Sequence, residues 1–420
     1  MRHSSIRHRL FPPGEEQHPL EAAYAEHTRA LGEQGLRRQL PRPSEVGLID
    51  FSHNDYLGLS RHPRVLRAAQ LALQEDGVGA TGSRLLSGNS ARVEALEARI
   101  AADKDCEAAL VFGTGFQANT MVLAALLHPK IHARAPRVLA DTLIHASMHQ
   151  GCRLAGVQPE FFRHNDLDHL QSLLEAGGPD APPTFVLSET VFGMDGDVLD
   201  MERLSTLVDA HNAMFYLDEA HATGVVGEQG YGLAGPWMRA PSGRHRGVVM
   251  GTFSKALGGM GAYVACSANL RNYFLHRCVG FIYTTAPSPA VVGAAAQAWE
   301  MVGHLREARH ALMARAQRLR EALTAQGWDC GVSTTHIVPI IVGDEDTTLA
   351  LKRRLAEQGI EVSAVRPPTV PRGSSRLRVA LAASHTDEQV GALVRALEDA
   401  RTELMAGVAS RPQDAKDPVP

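Results

Sequence analysis

Short apolar runs alternate with amphipathic segments along most of this chain. From about residue 60, two segments with helical spacing, RHPRVLRAAQLALQED and ARVEALEARIAADK, precede the apolar run AALVF. Five more apolar runs, several of them β-branched, follow between helical segments or turns: RVLAD, PTFVLSET, AMFYLDEA, GVVMGTF and AYVACS. This alternation predicts an α/β fold with a mixed, mostly parallel sheet covered by helices.

The C-terminal third has a different pattern. Residues 288–327 lack strand signals and predict one long helix or two. The segments HIVPIIVGD, TLALKRRLAEQG, IEVSAV, SRLRVALAA and DEQVGALVRALEDARTEL then predict a small α+β unit. We therefore expect an N-terminal arm with a helix and the first strand (1–50), a large domain (51–290), a small C-terminal domain (291–405) and a disordered tail (406–420).

Composition narrows the class of protein. The 420 residues are 44% apolar, which is enough for a large core or two domains. Lys and Arg (42) nearly balance Asp and Glu (46), so we expect neither nucleic acid nor a membrane surface as a partner. Five scattered cysteines without a CxxC pair indicate free thiols in a reducing compartment. With no apolar signal segment or membrane-length stretch, we expect a cytoplasmic protein.

The stretch MGTFSKALGGMG (250–261) places one lysine, Lys255, after an apolar run and among small residues. Glycines let the backbone approach a bulky group closely. A lysine at a strand end can direct its amine into a cavity. Taken alone, Lys255 is more typical of an exposed loop lysine. Its role has to be inferred from the residues at the other strand ends.

A second strand end carries the sequence GTGFQA, Gly113–Ala118, between AALVF and a helix. The backbone amides of a helix start suit a phosphate group. The same letters match the dinucleotide pattern GxGxxA, and Asp141 lies downstream at a suitable distance. An NAD-dependent dehydrogenase is therefore an alternative, and so is a simple tight turn.

A third strand end, after AMFYL, carries Asp218 and His221. A buried carboxylate is costly unless it has a partner. The pair could bind a metal ion together with His145, His149 or Cys152, but no HExxH or CxxC motif accompanies them. We expect no metal site.

Considered together, these strand ends favour one cofactor. The amine of Lys255 can hold an aldehyde as a Schiff base. The Asp218 carboxylate can keep a pyridine nitrogen protonated, so that the ring accepts electrons. The His145 imidazole can stack on the ring, and the helix start at Gly115 can bind a phosphate. These are the requirements of pyridoxal 5′-phosphate (PLP).

The motifs also resemble a known family, the α-oxoamine synthases, which are fold-type I PLP-dependent enzymes. The resemblance extends from Asn54 to about residue 400. It rests on NDYLGLSRHP, GATGSRLLSGNS, GTGFQAN, ADTLIHAS, FRHND, VFGMDGD, LDEAHATGVVGEQGYG, GTFSKALGGMGAYVACS, FIYTTAPSP and VRPPTVPRGSSRLRVALAASH. It implies an acyltransferase that condenses an amino acid with an acyl thioester and loses CO₂. It also implies a homodimer whose active sites lie at the subunit interface.

The resemblance assigns expected roles to individual residues. Lys255 would link the cofactor and transfer protons, Asp218 would pair with the pyridine nitrogen, His145 would stack on the ring and His221 would bind its phenolic oxygen. The phosphate would be bound by Gly115, Phe116 and Thr252 and, across the dimer, by Thr284 and Thr285. The substrates would be bound by Arg378, Asn54, Arg366 and Arg37.

Two points stay open within the family. The segments RPPTVP and GEQG favour the member of the biotin pathway, which joins L-alanine to a pimeloyl thioester on CoA or acyl carrier protein. Members that use glycine, serine, another amino acid or a longer acyl chain remain alternatives, as does a catalytically inactive binding module. Gly193 stands where we expect serine, so we expect a lost hydroxyl and added space near the ring oxygen.

Overall fold

The computed structural model describes residues 18–33, 40, 47–178 and 180–409. The helices are α1 (Pro19–Glu33), α2 (Pro63–Asp76), α3 (Ala91–Asp103), α4 (Gly115–Leu126), α5 (Ala146–Ala155), α6 (Leu167–Ala176), α7 (Met201–Ala210), α8 (Ala268–Arg277), α9 (Val279–Ile282), α10 (Pro289–Val302), α11 (Arg306–Ala325), α12 (Glu345–Glu357) and α13 (Asp387–Ala409). The strands are β1 (Ile49–Asp50), β2 (Ala108–Phe112), β3 (Arg137–Asp141), β4 (Glu160–Phe162), β5 (Thr184–Glu189), β6 (Met214–Asp218), β7 (Gly247–Thr252), β8 (Ala262–Cys266), β9 (Ile337–Gly343), β10 (Ile360–Glu361), β11 (Ser363–Val365) and β12 (Ser375–Ala380).

A seven-stranded sheet with the order β2-β8-β7-β6-β5-β3-β4 forms the centre of the larger part. Strand β8 runs antiparallel to both of its neighbours, whereas β7, β6, β5, β3 and β4 pair in parallel. The mixed, mostly parallel sheet is thus confirmed. The sequence did not reveal β4, because this edge strand has three residues, of which only Phe162 is buried.

Helices cover both faces of this sheet, as the near-continuous apolar strands require. Along β2, Ala109 and Val111 face a core that includes residues of α3 and α10. Leu110 and Phe112 point to the other face and pack with residues of α4 and α5. Because side chains alternate along a strand, one short apolar run contributes to two cores.

The C-terminal part contains a three-stranded antiparallel sheet with the order β11-β12-β9, and α11 to α13 pack with these strands or with each other. Strand β1 pairs in parallel with β10, so the first strand of the chain lies beside the C-terminal segments. The predicted small α+β arrangement is present. Strand β12 places Arg378 opposite Ser363 of β11.

Some boundaries differ from the sequence-based expectation. The stretch 288–327 forms two helices, α10 and α11. Helix α13 reaches Ala409, inside the segment expected to be a tail, because no proline interrupts it before Pro412. The chain divides into residues 1–48 and residues 49–420, and α1 is the helix described in the first of these units. No described helix has the length and apolar composition that a bilayer crossing requires.

The parallel strands bring the chemically interesting residues to one edge. Glu189, Asp218 and Thr252 are the last residues of β5, β6 and β7. Helix α4 begins three residues after β2 ends. Since the carboxyl ends of parallel strands meet at the same edge of a sheet, this edge is where a ligand is expected.

Candidate active site

Lys255 lies in the turn that follows β7. The amide of Gly258 donates a hydrogen bond to the Lys255 carbonyl over 2.8 Å, and Gly258 adopts a φ of 63°, which favours glycine. A β-carbon there would lie 2.2 Å from the backbone nitrogen of Ser60, so the turn also needs glycine for space. This turn directs the Lys255 amine inward, with Nζ 2.7 Å from Nε2 of His221.

The charge state of the Lys255 amine follows from its surroundings. Removal from water lowers the pKa of Lys255 to about 8, although the carboxyl groups of Asp218 and Glu189 act in the opposite direction. A larger fraction of the amine is therefore unprotonated near neutral pH than in an ordinary lysine. An unprotonated amine is the form that attacks an aldehyde or accepts a proton.

The Asp218 carboxylate is buried but has partners for both oxygens. Asn119 Nδ2 donates to Oδ2 over 2.7 Å, and the Ala220 amide donates to Oδ1 over 2.8 Å. The Tyr216 hydroxyl in turn donates to Asn119 Oδ1 over 2.9 Å. These bonds offset the cost of burial and fix the direction of the carboxylate.

His145 caps the N-terminus of α5. Its Nδ1 accepts a hydrogen bond from the Ser147 amide at 3.2 Å and lies 2.6 Å from the Ser147 hydroxyl. Burial lowers the pKa of His145, and the nearby negative charge of Asp218 partly opposes this shift. The ring is thus a neutral, flat imidazole held close to Asp218.

His221 connects Lys255 to a group of residues from distant parts of the chain. Its Nδ1 lies 2.7 Å from the Tyr56 hydroxyl, which also donates to Asn54 Oδ1 over 2.9 Å. Arg378 Nη2 lies 3.2 Å from both the Tyr56 oxygen and Asn54 Oδ1. Burial lowers the pKa of His221 well below its usual value, and the positive charges of Lys255 and Arg378 add to this. His221 is therefore neutral.

Helix α4 and Thr252 meet at another side of this edge. Thr114 caps the helix by accepting a hydrogen bond from the Gln117 amide. The first amides of α4, at Gly115 and Phe116, have no partner within the helix and are free for an anion. Thr252 lies next to them, since a β-carbon on Gly115 would be 3.8 Å from the Thr252 hydroxyl oxygen.

Three other expected site residues, Thr284, Thr285 and Arg366, lie in loops. Thr284 and Thr285 belong to the loop between α9 and α10, where Thr285 forms a bridge with Ser83. Arg366 precedes the cis peptide bond between Pro367 and Pro368. Arg37 lies outside the described residues. The described cluster around Lys255 therefore contains the expected residues Asn54, His145, Asp218, His221 and Arg378.

Several residues of this cluster were not expected from the sequence. Tyr56 and Asn119 lie in the family motifs NDYLG and GFQAN, and these motifs were the signal in the sequence that could have identified them as site residues. Glu189 is buried beside Asp218. His336 is fully buried with its ring centroid 4.0 Å from that of Tyr56, and burial lowers its pKa to about 3. No local pattern marks a buried histidine as a neighbour of a distant tyrosine.

One expectation about this site was wrong. We expected Gly193 to leave added space, but the His221 ring fills it. A β-carbon built on Gly193 would lie 2.2 Å from His221 Nε2. The imidazole of His221 thus occupies the space that a side chain at position 193 would fill.

The donor set fits PLP. An amine with a lowered pKa suits an aldehyde, an oriented buried carboxylate suits a pyridine nitrogen, and free helix amides beside Thr252 suit a phosphate. Residues 46–397 match the family described as aminotransferase class I and II. The chain belongs to this family. It is a PLP-dependent acyltransferase with a fold-type I architecture, as the resemblance to α-oxoamine synthases predicted.

Individual members of the aminotransferase class I and II family are close in sequence. A Gluconacetobacter diazotrophicus protein named 8-amino-7-oxononanoate synthase is 47% identical over 368 residues, which cover 86% of this chain and 90% of that protein. A Paramagnetospirillum magneticum protein with a provisional form of the same name is 50% identical over 353 residues, covering 84% of this chain and 88% of that protein.

A solved structure of a PLP-dependent enzyme supports the fold and the cofactor. A serine palmitoyltransferase variant from S. paucimobilis, determined with PLP and myriocin bound, superposes with a TM-score of 0.81 at 26% identity. The match covers 93% of this chain and all of that one. Family membership thus excludes the dehydrogenase alternative. Asp141, which that alternative needs for a ribose, is fully buried and accepts the Leu143 and Asn165 amides.

Proposed function

We propose that this chain is an 8-amino-7-oxononanoate synthase. It joins L-alanine to a pimeloyl thioester, on CoA or acyl carrier protein, and releases CO₂ and the free thiol in biotin biosynthesis. The observation that carries this proposal is the 47% identity with the Gluconacetobacter diazotrophicus enzyme over 86% of the chain. The cluster around Lys255 has the groups that this reaction needs.

In this proposal different residues bind different parts of PLP. Bound PLP supplies a ring that accepts electrons from the α-carbon of the amino acid. Lys255 holds the aldehyde end, and the Asp218 carboxylate keeps the pyridine nitrogen protonated. His145 lies against the ring face and His221 hydrogen-bonds the phenolic oxygen. The Gly115 and Phe116 amides and the Thr252 hydroxyl bind the phosphate.

The substrate is held and deprotonated by residues of the same cluster. Arg378 binds the amino-acid carboxylate as a charge-assisted pair, and Asn54 lies 3.2 Å from its Nη2. Lys255, with a pKa of about 8, takes the α-proton. Arg366 and Arg37 are proposed to contact the acyl substrate.

A homodimer completes the site in this proposal. Thr284 and Thr285 then reach the phosphate bound in the neighbouring subunit. The surface near these residues supports a partner, because four large apolar side chains are more than half exposed: Leu86, Phe116, Val279 and Tyr283. Large exposed apolar surface often marks a protein interface.

The main alternative function is that of another family member, serine palmitoyltransferase. Serine palmitoyltransferase structures superpose with a TM-score of 0.81, which favours a serine-using enzyme with a longer acyl chain. The two functions share PLP, Lys255 and Asp218, and they differ in the substrates. The same substrate assay decides between them.

The test has two parts. Purified protein loaded with PLP is expected to show a visible absorbance band that Lys255→Ala loses and the matched surface variant Lys352→Ala keeps. Thiol release is then measured with L-alanine, glycine or L-serine against pimeloyl, acetyl, succinyl and palmitoyl thioesters. Release with L-alanine and pimeloyl thioester above all other pairs is expected. A preference for L-serine and palmitoyl-CoA would refute the proposal, and no release with any pair would identify an inactive binding module.

A further inference from the structure

Gly193 leaves no room for a side chain, because the His221 ring lies against its α-carbon. Its φ does not lie in the left-handed region, so an L-residue could adopt its backbone conformation. A β-carbon at this position would lie 2.2 Å from Nε2, 2.7 Å from Cδ2 and 3.0 Å from Cε1 of His221. The His221 imidazole therefore occupies the space that a side chain at position 193 would need.

The His221 ring has partners on two sides. Its Nδ1 lies 2.7 Å from the Tyr56 hydroxyl and its Nε2 lies 2.7 Å from Lys255 Nζ. The Tyr56 and His221 side chains are both buried. A side chain at position 193 would have to displace the ring and break at least one of these bonds.

The hydrogen-bond partners indicate which nitrogen of His221 carries the proton. The single proton of the Tyr56 hydroxyl is donated to Asn54 Oδ1, and Arg378 Nη2 donates to the Tyr56 oxygen. His221 then donates its Nδ1 proton to the Tyr56 oxygen, because that hydroxyl has no second proton to offer. The lone pair of Nε2 consequently faces the Lys255 amine.

An imidazole lone pair accepts a hydrogen bond from an ammonium group and from a neutral amine alike. Lys255 can therefore stay bonded to His221 while it takes up or releases a proton. In the neutral state, one N–H points to Nε2 and the amine lone pair is directed away from the ring. The geometry points to Gly193 as a positioning residue. By leaving room for His221, it orients the Lys255 amine for the PLP aldehyde and for proton transfer.

Gly193 also contacts the proposed carboxylate-binding residue. Its carbonyl oxygen accepts a hydrogen bond from Arg378 Nε over 2.6 Å. One residue thus sets the room for His221 and anchors Arg378. This inference concerns the same site as the proposed function. It rests on the proposed function only where it refers to the reaction that follows PLP binding.

The first readout is the rate at which PLP-free protein captures PLP, followed by absorbance, because capture needs neither amino acid nor thioester. Gly193→Ala is expected to slow capture about tenfold, the effect of losing a hydrogen bond to an ionisable group. Gly235→Ala is the matched control, since a β-carbon there meets its nearest atom at 3.6 Å and φ is not positive. The control is expected to capture PLP at the unaltered rate.

A double-mutant cycle isolates the clash with His221. In a His221→Ala background, Gly193→Ala is expected to change the capture rate by less than about twofold, because the ring it would displace is absent. Equal slowing in both backgrounds, or no slowing in the unaltered background, would overturn the inference. If Gly193→Ala alone does not fold, thermal unfolding replaces the rate: folding rescued by His221→Ala supports the inference, and failure to fold in both backgrounds contradicts it. Substrate assays are not part of this cycle, so a wrong substrate assignment leaves its outcome unchanged.

Discussion

Glu189 and Asp218 are register partners at the ends of β5 and β6, so two buried carboxyl groups lie side by side. Asp218 accepts hydrogen bonds from Asn119 and from the Ala220 amide. Burial raises the pKa of Glu189 well above its usual value, and the neighbouring charge of Asp218 raises it further. We therefore assign one negative charge to the pair and the proton to Glu189.

The first prediction concerns this proton. Because the folded-state pKa of Glu189 is above the unfolded value of about 4.3, its contribution to stability is present below that pH and is lost as pH rises toward the folded-state pKa. Glu189→Gln removes this dependence. PLP-free Glu189→Gln is expected to gain thermal stability relative to the unaltered protein between pH 5 and pH 8. The exposed variant Glu398→Gln serves as the control, and a stability difference independent of pH would contradict the assignment.

The second prediction concerns the orientation of Asp218. Asn119→Leu keeps the approximate volume but removes the donor that lies 2.7 Å from Asp218 Oδ2. PLP affinity, measured by titration of PLP-free protein, is expected to fall about tenfold, as for a lost hydrogen bond to a charged group. Thr120→Val is the matched control, since its hydroxyl donates to the Ser147 carbonyl. An equal loss of affinity in both variants would show that Asn119 does not act through Asp218.

The third prediction concerns Arg378. Its Nε donates to the Gly193 carbonyl and its Nη2 lies near Asn54 and Tyr56, a geometry that a lysine cannot reproduce. Arg378→Lys is expected to raise KM for the amino acid about tenfold and to change KM for the thioester by less than about threefold. The buried Arg309→Lys, whose partners are the Val302 and Glu228 carbonyls, is the control. Equal changes in both KM values would argue against carboxylate binding.

The fourth prediction concerns His164, which joins the loops that follow β3 and β5. Its Nδ1 lies 3.1 Å from Asp141 Oδ1 and its Nε2 lies 3.1 Å from Asp197 Oδ2. Burial lowers the pKa of His164, but its hydrogen bond to Asp141 and the negative charge of nearby Asp197 prevail and raise it to about 10. The charged ring is therefore present at neutral pH in the folded protein.

His164→Gln is expected to lose about 2–3 kcal/mol of unfolding free energy at pH 7, because two buried carboxylates lose their cation. The folded-state pKa is above the unfolded value of about 6.5, so the contribution is complete below that pH and disappears as pH rises through about 10. Denaturant unfolding at pH 7 and pH 10 measures the difference, with the exposed His304→Gln as control. A loss that is the same at both pH values would show that the charge of His164 is not its cause.

The described parts of the fold follow closely from local patterns. Apolar runs such as AALVF and AMFYL are long enough, and free enough of Gly and Pro, to form the buried strands β2 and β6. Periodicity also identified α3 and α12. The sequence did not predict the short strand β4 or the extension of α13 to Ala409, because a three-residue edge strand and a helix end carry weak local signals.

By itself the sequence determined the α/β class, the family and the cofactor, because strand periodicity and the motifs around Lys255 and Asp218 are local. Only the tertiary structure decided which residues touch. Tyr56 and Arg378 are separated by 322 positions yet lie 3.2 Å apart, and Asn119 meets Asp218 across 99 positions. The role of Gly193 also depended on packing, since the His221 ring that fills its space comes from another segment. Hydrogen bonds and steric contacts depend on distance in space, and spacing along the chain does not encode that distance.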